Sequence, residues 1–126
     1  MSVRALRGAI QLDRDERHHL LDEVRKLFQE MLRTNGLDQD DLVSVIFTAT
    51  PDLVSEFPAL AARELGMSDV PLMCAQELDI AGSLPRVVRI LAHAETDRPK
   101  PAIKHVYLGG AAALRRDLVP QDGVSG

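Results

Sequence analysis

Leu20, Leu21, Val24, Leu27, Phe28, Met31 and Leu32 recur at intervals of three and four residues, which lays one broad apolar stripe along a helix. Such a stripe is stable only when buried, so the rest of the chain must supply a complementary apolar surface. Asp13, with Glu16 three residues on, has the form of a capping box and is expected to open this helix. Asn35-Gly36 should close it. The remaining apolar runs have the length of strands. Val3 to Ile10 is one, and alternation places Arg7 on a face with Val3, Ala5 and Ala9, and Arg4 with Leu6 and Ile10. Leu42 to Thr48 is β-branched and largely apolar, which suits a buried strand ended by Pro51. Pro58 can open a short helix that runs through Leu65 to Gly66. Val70 to Ala75 is another short run, which Pro71 confines to a sheet edge or a strand start.

The stretch from Arg86 to Thr96 fits two periods. As a strand it lines up Val88, Ile90, Ala92 and Ala94; as a helix it lines up Leu84, Val87, Val88, Leu91 and Ala94. The unbroken alternation favours the strand. His105 to Leu108 starts a last strand, expected to continue to Leu114, and Val119 to Gly126 is expected to fray. Two helices among such strands make an α+β or α/β sheet-and-helix domain.

A length of 126 residues is that of one domain, with 45% hydrophobic and 27% charged residues. A net charge of -4 and an aromatic content of 3% argue against a nucleic-acid partner, since neither a basic footprint nor a stacking platform is present. No apolar run reaches bilayer-spanning length, and Arg4 and Arg7 interrupt the first ten residues where a secretory signal would need an apolar stretch. A cytoplasmic chain without a membrane partner is the expectation. Cys74, the single cysteine, cannot form an intrachain disulfide.

Gly109-Gly110 lacks the further residues of a dinucleotide fingerprint or a P-loop. His18 and His19 are adjacent, about 100° apart on a helix, and do not make a metal-ligand pair. His93 and His105 have no evident carboxylate partner in the sequence, and Cys74 in an apolar run reads as a small buried hydrophobe. Asp38, Asp40 and Asp41 suit a helix N-terminus. What stands out is twelve Arg against three Lys. Arg7, Arg63, Arg89, Arg115 and Arg116 lie in or beside apolar elements, and a guanidinium grips a carboxylate bidentately. A small dianionic ligand would satisfy them; ordinary surface arginines would read the same way at this level.

Seven stretches together identify a family. RALRGAI at Arg4 to Ile10, TATPDL at Thr48 to Leu53, FPALAAREL at Phe57 to Leu65, CAQELD at Cys74 to Asp79, VVRIL at Val87 to Leu91, HVYL at His105 to Leu108 and LRRDL at Leu114 to Leu118 occur in family order and near-family spacing. The chain resembles the monofunctional chorismate mutases of the AroH class. That resemblance implies an α+β fold with a mixed sheet of about five strands and two helices, a single domain over residues 1–118 and a tail over 119–126. It further implies a homotrimer forming a pseudo-α/β barrel with active sites at subunit interfaces. The implied reaction is the Claisen rearrangement of chorismate to prephenate, towards phenylalanine and tyrosine, without cofactor or metal.

By the same resemblance, Arg89 donates to the breaking ether oxygen, Arg7 and Tyr107 clamp the side-chain carboxylate, and Glu77 accepts from the ring hydroxyl with Cys74 beside it. Phe57, Ala59, Leu72, Met73 and Leu114 would form the apolar wall, with Arg63 and Arg115 nearer the mouth. Leu60 departs from the Lys often found there, the interval from Arg63 to Cys74 is one residue short, Pro85 precedes the Arg89 strand, and Ala111 to Ala113 replaces bulkier residues. The other reading is a non-catalytic trimeric aromatic-acid-binding or regulatory protein on the same scaffold. Anion binding alone would not need Glu77 facing the ligand beside Arg89. An imine deaminase on a related trimeric scaffold is a third, which the motifs disfavour.

Overall fold

The computed structural model describes residues 1–113. In chain order these form β1 (Ser2–Gln11), α1 (Arg17–Thr34), β2 (Leu42–Ala49), α2 (Ala59–Glu64), β3 (Leu72–Gln76), β4 (Val87–Thr96) and β5 (Val106–Leu108), with short 3-10 turns between some of them. The strands make one sheet in the order β3-β2-β4-β1-β5. β4 lies at its centre, antiparallel to both β1 and β2, while β2–β3 and β1–β5 pair in parallel. This is the expected α+β architecture, and the segment with two possible periods is the central strand.

Both helices pack on one face of the sheet. The α1 stripe is buried throughout and meets Leu6 and Ile10 of β1, Val45 and Phe47 of β2, and Val88, Ile90, Ala92 and Ala94 of β4. Phe28 and Phe47 meet at 6.3 Å between ring centroids. The helix comes so close to β1 that a Cβ on Gly8 would lie 2.5 Å from Met31 Sδ and 3.2 Å from Leu27 Cδ1. Arg4, on the Leu6 face, sends its Nε to the carbonyl of Arg98 at 3.0 Å. β3 takes an edge of the sheet and begins immediately after Pro71, so both places open to that proline are met.

Two boundaries differ from expectation. Helix α1 opens at Arg17, not Asp13, because Glu16 is itself the cap: its carboxylate accepts from the backbone N–H groups of His18 and His19. His19 is not simply solvated, since its Nε2 accepts from the Asp13 N–H at 3.1 Å and holds the turn before the helix. The last strand stops at Leu108, because Gly109 takes a φ of 59° and starts a 3-10 turn through Ala111. A side chain at Gly109 would also press to 3.0 Å from the Gln11 carbonyl. Asp38 and Asp41 cap a 3-10 turn over Gln39–Asp41, a shorter element than an α-helix. The expectations for Leu114, Arg115, Arg116 and the tail lie outside the described residues.

Candidate active site

The face of the sheet opposite the helices carries the polar residues. Side chains directly across a ladder share a face, so the register assembles one row across all five strands: Tyr107 beside Ala9, Ala9 beside Arg89, Arg89 beside Thr48, and Thr48 beside Ala75. The adjacent row holds Arg7, Leu91, Ile46 and Met73. Sequence alternation had placed Arg7 on the face of Val3 and Ala5, and all three are exposed there.

Four of the expected site residues meet on this face. Glu77 follows β3, and its N–H donates to the Ala49 carbonyl at 2.9 Å, extending the β2–β3 ladder by one residue. Its carboxylate thereby reaches Arg89, whose Nε donates to Oε1 and Oε2 at 3.1 and 3.0 Å. The Thr48 hydroxyl donates to Oε2 at 2.6 Å. Glu77 is 17% exposed and Arg89 41%, so the pair is half-withdrawn from water. Arg89 spends only Nε on this contact: among the described residues its two terminal nitrogens have no partner. Arg7 is similar, since its Nε donates to the Tyr107 hydroxyl at 3.2 Å, while its backbone N–H donates to His105 Nδ1 at 3.0 Å. Tyr107 is steadied by a small apolar cluster of Ala9, Val87, Ala111 and Leu84.

Met73 shares this face on the edge strand, while the other expected residues among those described lie elsewhere. Leu72 and Cys74 alternate with Met73 along β3 and face the helix side, opposite to Thr48 and Arg89. Cys74 and Phe57 line a cleft of about 390 Å³ between β2, β3 and the loop from Thr50 to Pro58. That loop is tied to the start of α1, because Asp15 accepts from the N–H groups of Val54 and Ser55, and Glu56 pairs with Arg17 at 2.7 Å. Arg63 ends α2 and borders a separate depression with Met67, Ser68, Val70 and Leu72. Ala59 is buried in the core at 2% exposure. Met73 is 62% exposed on the edge strand and Phe57 68% at the cleft rim. Arg7, Glu77, Arg89 and Tyr107 thus share one face of the sheet with Met73, whereas Leu72 and Cys74 lie on the opposite face, beside the cleft that Phe57 rims.

The TATPDL stretch proves to be structural machinery that the sequence did not reveal. The Thr50 N–H donates to the Val87 carbonyl at the start of β4, and the Thr50 hydroxyl accepts from the Val87 N–H and donates to Asp52. Asp52 also accepts from the Arg86 N–H through both oxygens. Arg86 carries a φ of 54°, the left-handed region that costs a non-glycine residue about 1–2 kcal/mol. Its Nε donates to the Leu12 carbonyl at 2.9 Å, and its own carbonyl accepts from the Leu12 N–H. This corner fixes where β4 begins, two residues before Arg89.

Comparison with known proteins agrees with the motifs. The chain matches the family model of chorismate mutase type I over residues 3–118. It is 48% identical over 117 residues to chorismate mutase AroH of Thermus thermophilus, covering 92% of this chain and 96% of that protein. To chorismate mutase AroH of Bacillus subtilis it is 39% identical over 119 residues, covering 94% of each. A solved chorismate mutase from Clostridium thermocellum superposes with a TM-score of 0.86 at 44% identity, covering 87% of this chain and 98% of that one.

Proposed function

The chain belongs to the chorismate mutase type I family, and from that premise we propose that it rearranges chorismate to prephenate in a composite cleft at a subunit interface. The chemistry is pericyclic. An ether C–O bond breaks as a C–C bond forms, no proton changes hands, and substrate and product are isomers. The protein's task is to hold a flexible dicarboxylate in its compact conformer and to stabilise the charge that separates in the transition state.

The observation that carries the residue assignment is the arrangement of Arg89. Glu77 fixes the guanidinium through Nε and leaves both terminal nitrogens to donate to the ether oxygen, where negative charge grows, and to the neighbouring carboxylate. Arg7, steadied through Nε on Tyr107, clamps that same carboxylate. The remaining acceptor capacity of Glu77 suits the ring hydroxyl, and its charge favours the cationic ring. A single preorganised donor is worth about 3–4 kcal/mol of barrier, whereas enzymatic acceleration requires at least about 8, so conformer clamping by Arg7 and Tyr107 must supply much of the rest.

Because the ionic residues lie on one face of the sheet and Leu72 and Cys74 on the other, a neighbouring subunit is the natural source of the missing wall. In a homotrimer, the Phe57, Leu72 and Cys74 side of one subunit would close over the Arg7, Glu77, Arg89 and Tyr107 side of the next. Exposed apolar residues support this: Val54, Phe57, Met73, Leu78 and Ile80 are all exposed on β3 or the loops beside it. We place the enzyme in the cytoplasm, consistent with a described chain in which no helix is long and apolar enough to cross a membrane.

The test is chorismate loss by ultraviolet absorbance, with prephenate identified as product, for the wild type, Arg89→Ala and Phe57→Asp. Each variant alone should be nearly inactive. Chains of the two mixed, unfolded and refolded together should regain about one site in four, since only an interface can bring an intact half from each. No regain, with trimers formed, would place the whole site within one subunit.

A further inference from the structure

We propose that Thr48 is a positioning residue for this reaction: its hydroxyl sets the rotamer of Glu77 and, through Glu77, the direction of the Arg89 guanidinium. The inference rests on the reading of Arg89 given above and deepens it. Thr48 stands directly across the ladder from Arg89, so the two side chains rise side by side from a rigid pair of strands. Glu77, by contrast, lies beyond the last residue of β3 and is held by its backbone at one point, the N–H bond to Ala49. Its side chain needs a second anchor to present a defined face to Arg89. The Thr48 hydroxyl provides it at 2.6 Å on Oε2, an oxygen also shared with Arg89 Nε at 3.0 Å.

Thr48 thus occupies one lone pair of the carboxylate and directs the others towards Nε and the open site. The hydroxyl proton points at an anion that is 17% exposed, where water competes poorly. Without it, the carboxylate can rotate about its terminal torsion, Nε follows, and the terminal nitrogens of Arg89 leave the position they must hold at the transition state. Thr48 touches no reacting atom in this scheme. It acts through Glu77.

Thr48→Val keeps the shape and the β-branch of the side chain and removes only the hydroxyl. We expect kcat to fall about 10- to 100-fold, the equivalent of a hydrogen bond to a charged group, with a smaller change in KM. Thr48→Ser should restore activity to within about threefold. A structural role would predict the same loss in any background, so the deciding measurement is Thr48→Val in Glu77→Ala chains: there it should cost less than about twofold. Thermal unfolding of each variant separates a misplaced carboxylate from a loosened sheet. A full loss that persists in the Glu77→Ala background, or Thr48→Val with wild-type kcat, would overturn the proposal while leaving Arg89 in place. An active Arg89→Ala enzyme would remove both the reading of Arg89 and this one built on it.

Discussion

Replacing Arg89 by lysine isolates the division of labour within its guanidinium. Arg89 uses Nε to hold Glu77, at 3.0 and 3.1 Å, and in the proposed mechanism its terminal nitrogens serve the substrate. A lysine ammonium reaches about as far as Cζ, short of the terminal nitrogens, and is a single point charge, so the Glu77 carboxylate captures it and the outer donor positions fall empty. Charge is conserved, and the sheet keeps its ion pair. The donor to the ether oxygen is lost. A missing donor of this kind lowers kcat by about 10²–10³. Since Arg89 is 41% exposed, water can enter the vacated volume and donate in its place, which puts the expectation near the hundredfold end. KM should change less, because the proposed carboxylate clamp of Arg7 and Tyr107 is untouched. Initial rates of chorismate loss across a range of concentrations give both constants, and an unchanged unfolding temperature would confirm that the fold is intact. If Arg89→Lys kept kcat within tenfold of wild type, a point charge would suffice and the fork would have no special role.

Other perturbations test the remaining parts. At Arg86 the backbone sits at a φ of 54°, so Arg86→Gly should be more stable than Arg86→Ala by about 1 kcal/mol, the reverse of the usual order in a strand; urea unfolding at matched protein concentration decides, and equal or better stability of the alanine variant refutes it. Arg63, at the end of α2 and without a partner among the described residues, should raise KM when replaced by alanine and leave kcat within about threefold, as expected for substrate capture. Glu16 is held below the ordinary carboxylate value by the N–H of His18 and then that of His19. A lowered folded value means its stabilisation is present above the unfolded pKa of about 4.3 and disappears as pH falls through the folded value. The unfolding-temperature gap between wild type and Glu16→Gln should therefore be present at neutral pH and close under acid; a gap independent of pH would mean the cap does not depend on charge.

How far the sequence could be read depended on the range of each interaction. The α1 stripe and the alternation of β4 are periodic and local, so both elements were legible, and Pro71, read as marking a sheet edge or a strand start, precedes an edge strand. The start of α1 was not, because glutamate seldom caps a helix and Asp13 with Glu16 has the commoner signature. The strand expected to pass Leu108 ends where Gly109 takes a left-handed conformation, and a pair of glycines does not announce which conformation it will adopt. Arg7, Glu77, Arg89 and Tyr107 could be named from the motifs, but the pairing of Glu77 with Arg89 depends on β2 lying between β3 and β4, which no local pattern encodes.

The pleat of β3 accounts for the separation of the expected ionic and apolar residues. A strand presents successive residues to opposite faces, so consecutive positions Met73 and Cys74 cannot both address one cavity within a subunit. Had the site been formed by a single chain, its apolar residues would need to share the pleat face of Thr48 and Ala75; Leu72 and Cys74 instead share that of Val45 and Phe47. Glu77 continues the alternation of Met73 and Ala75, so its carboxylate stays on the face of Arg89. A strand at the sheet edge can be approached from both faces at once, and β3 lies at such an edge, as the proposed composite cleft requires.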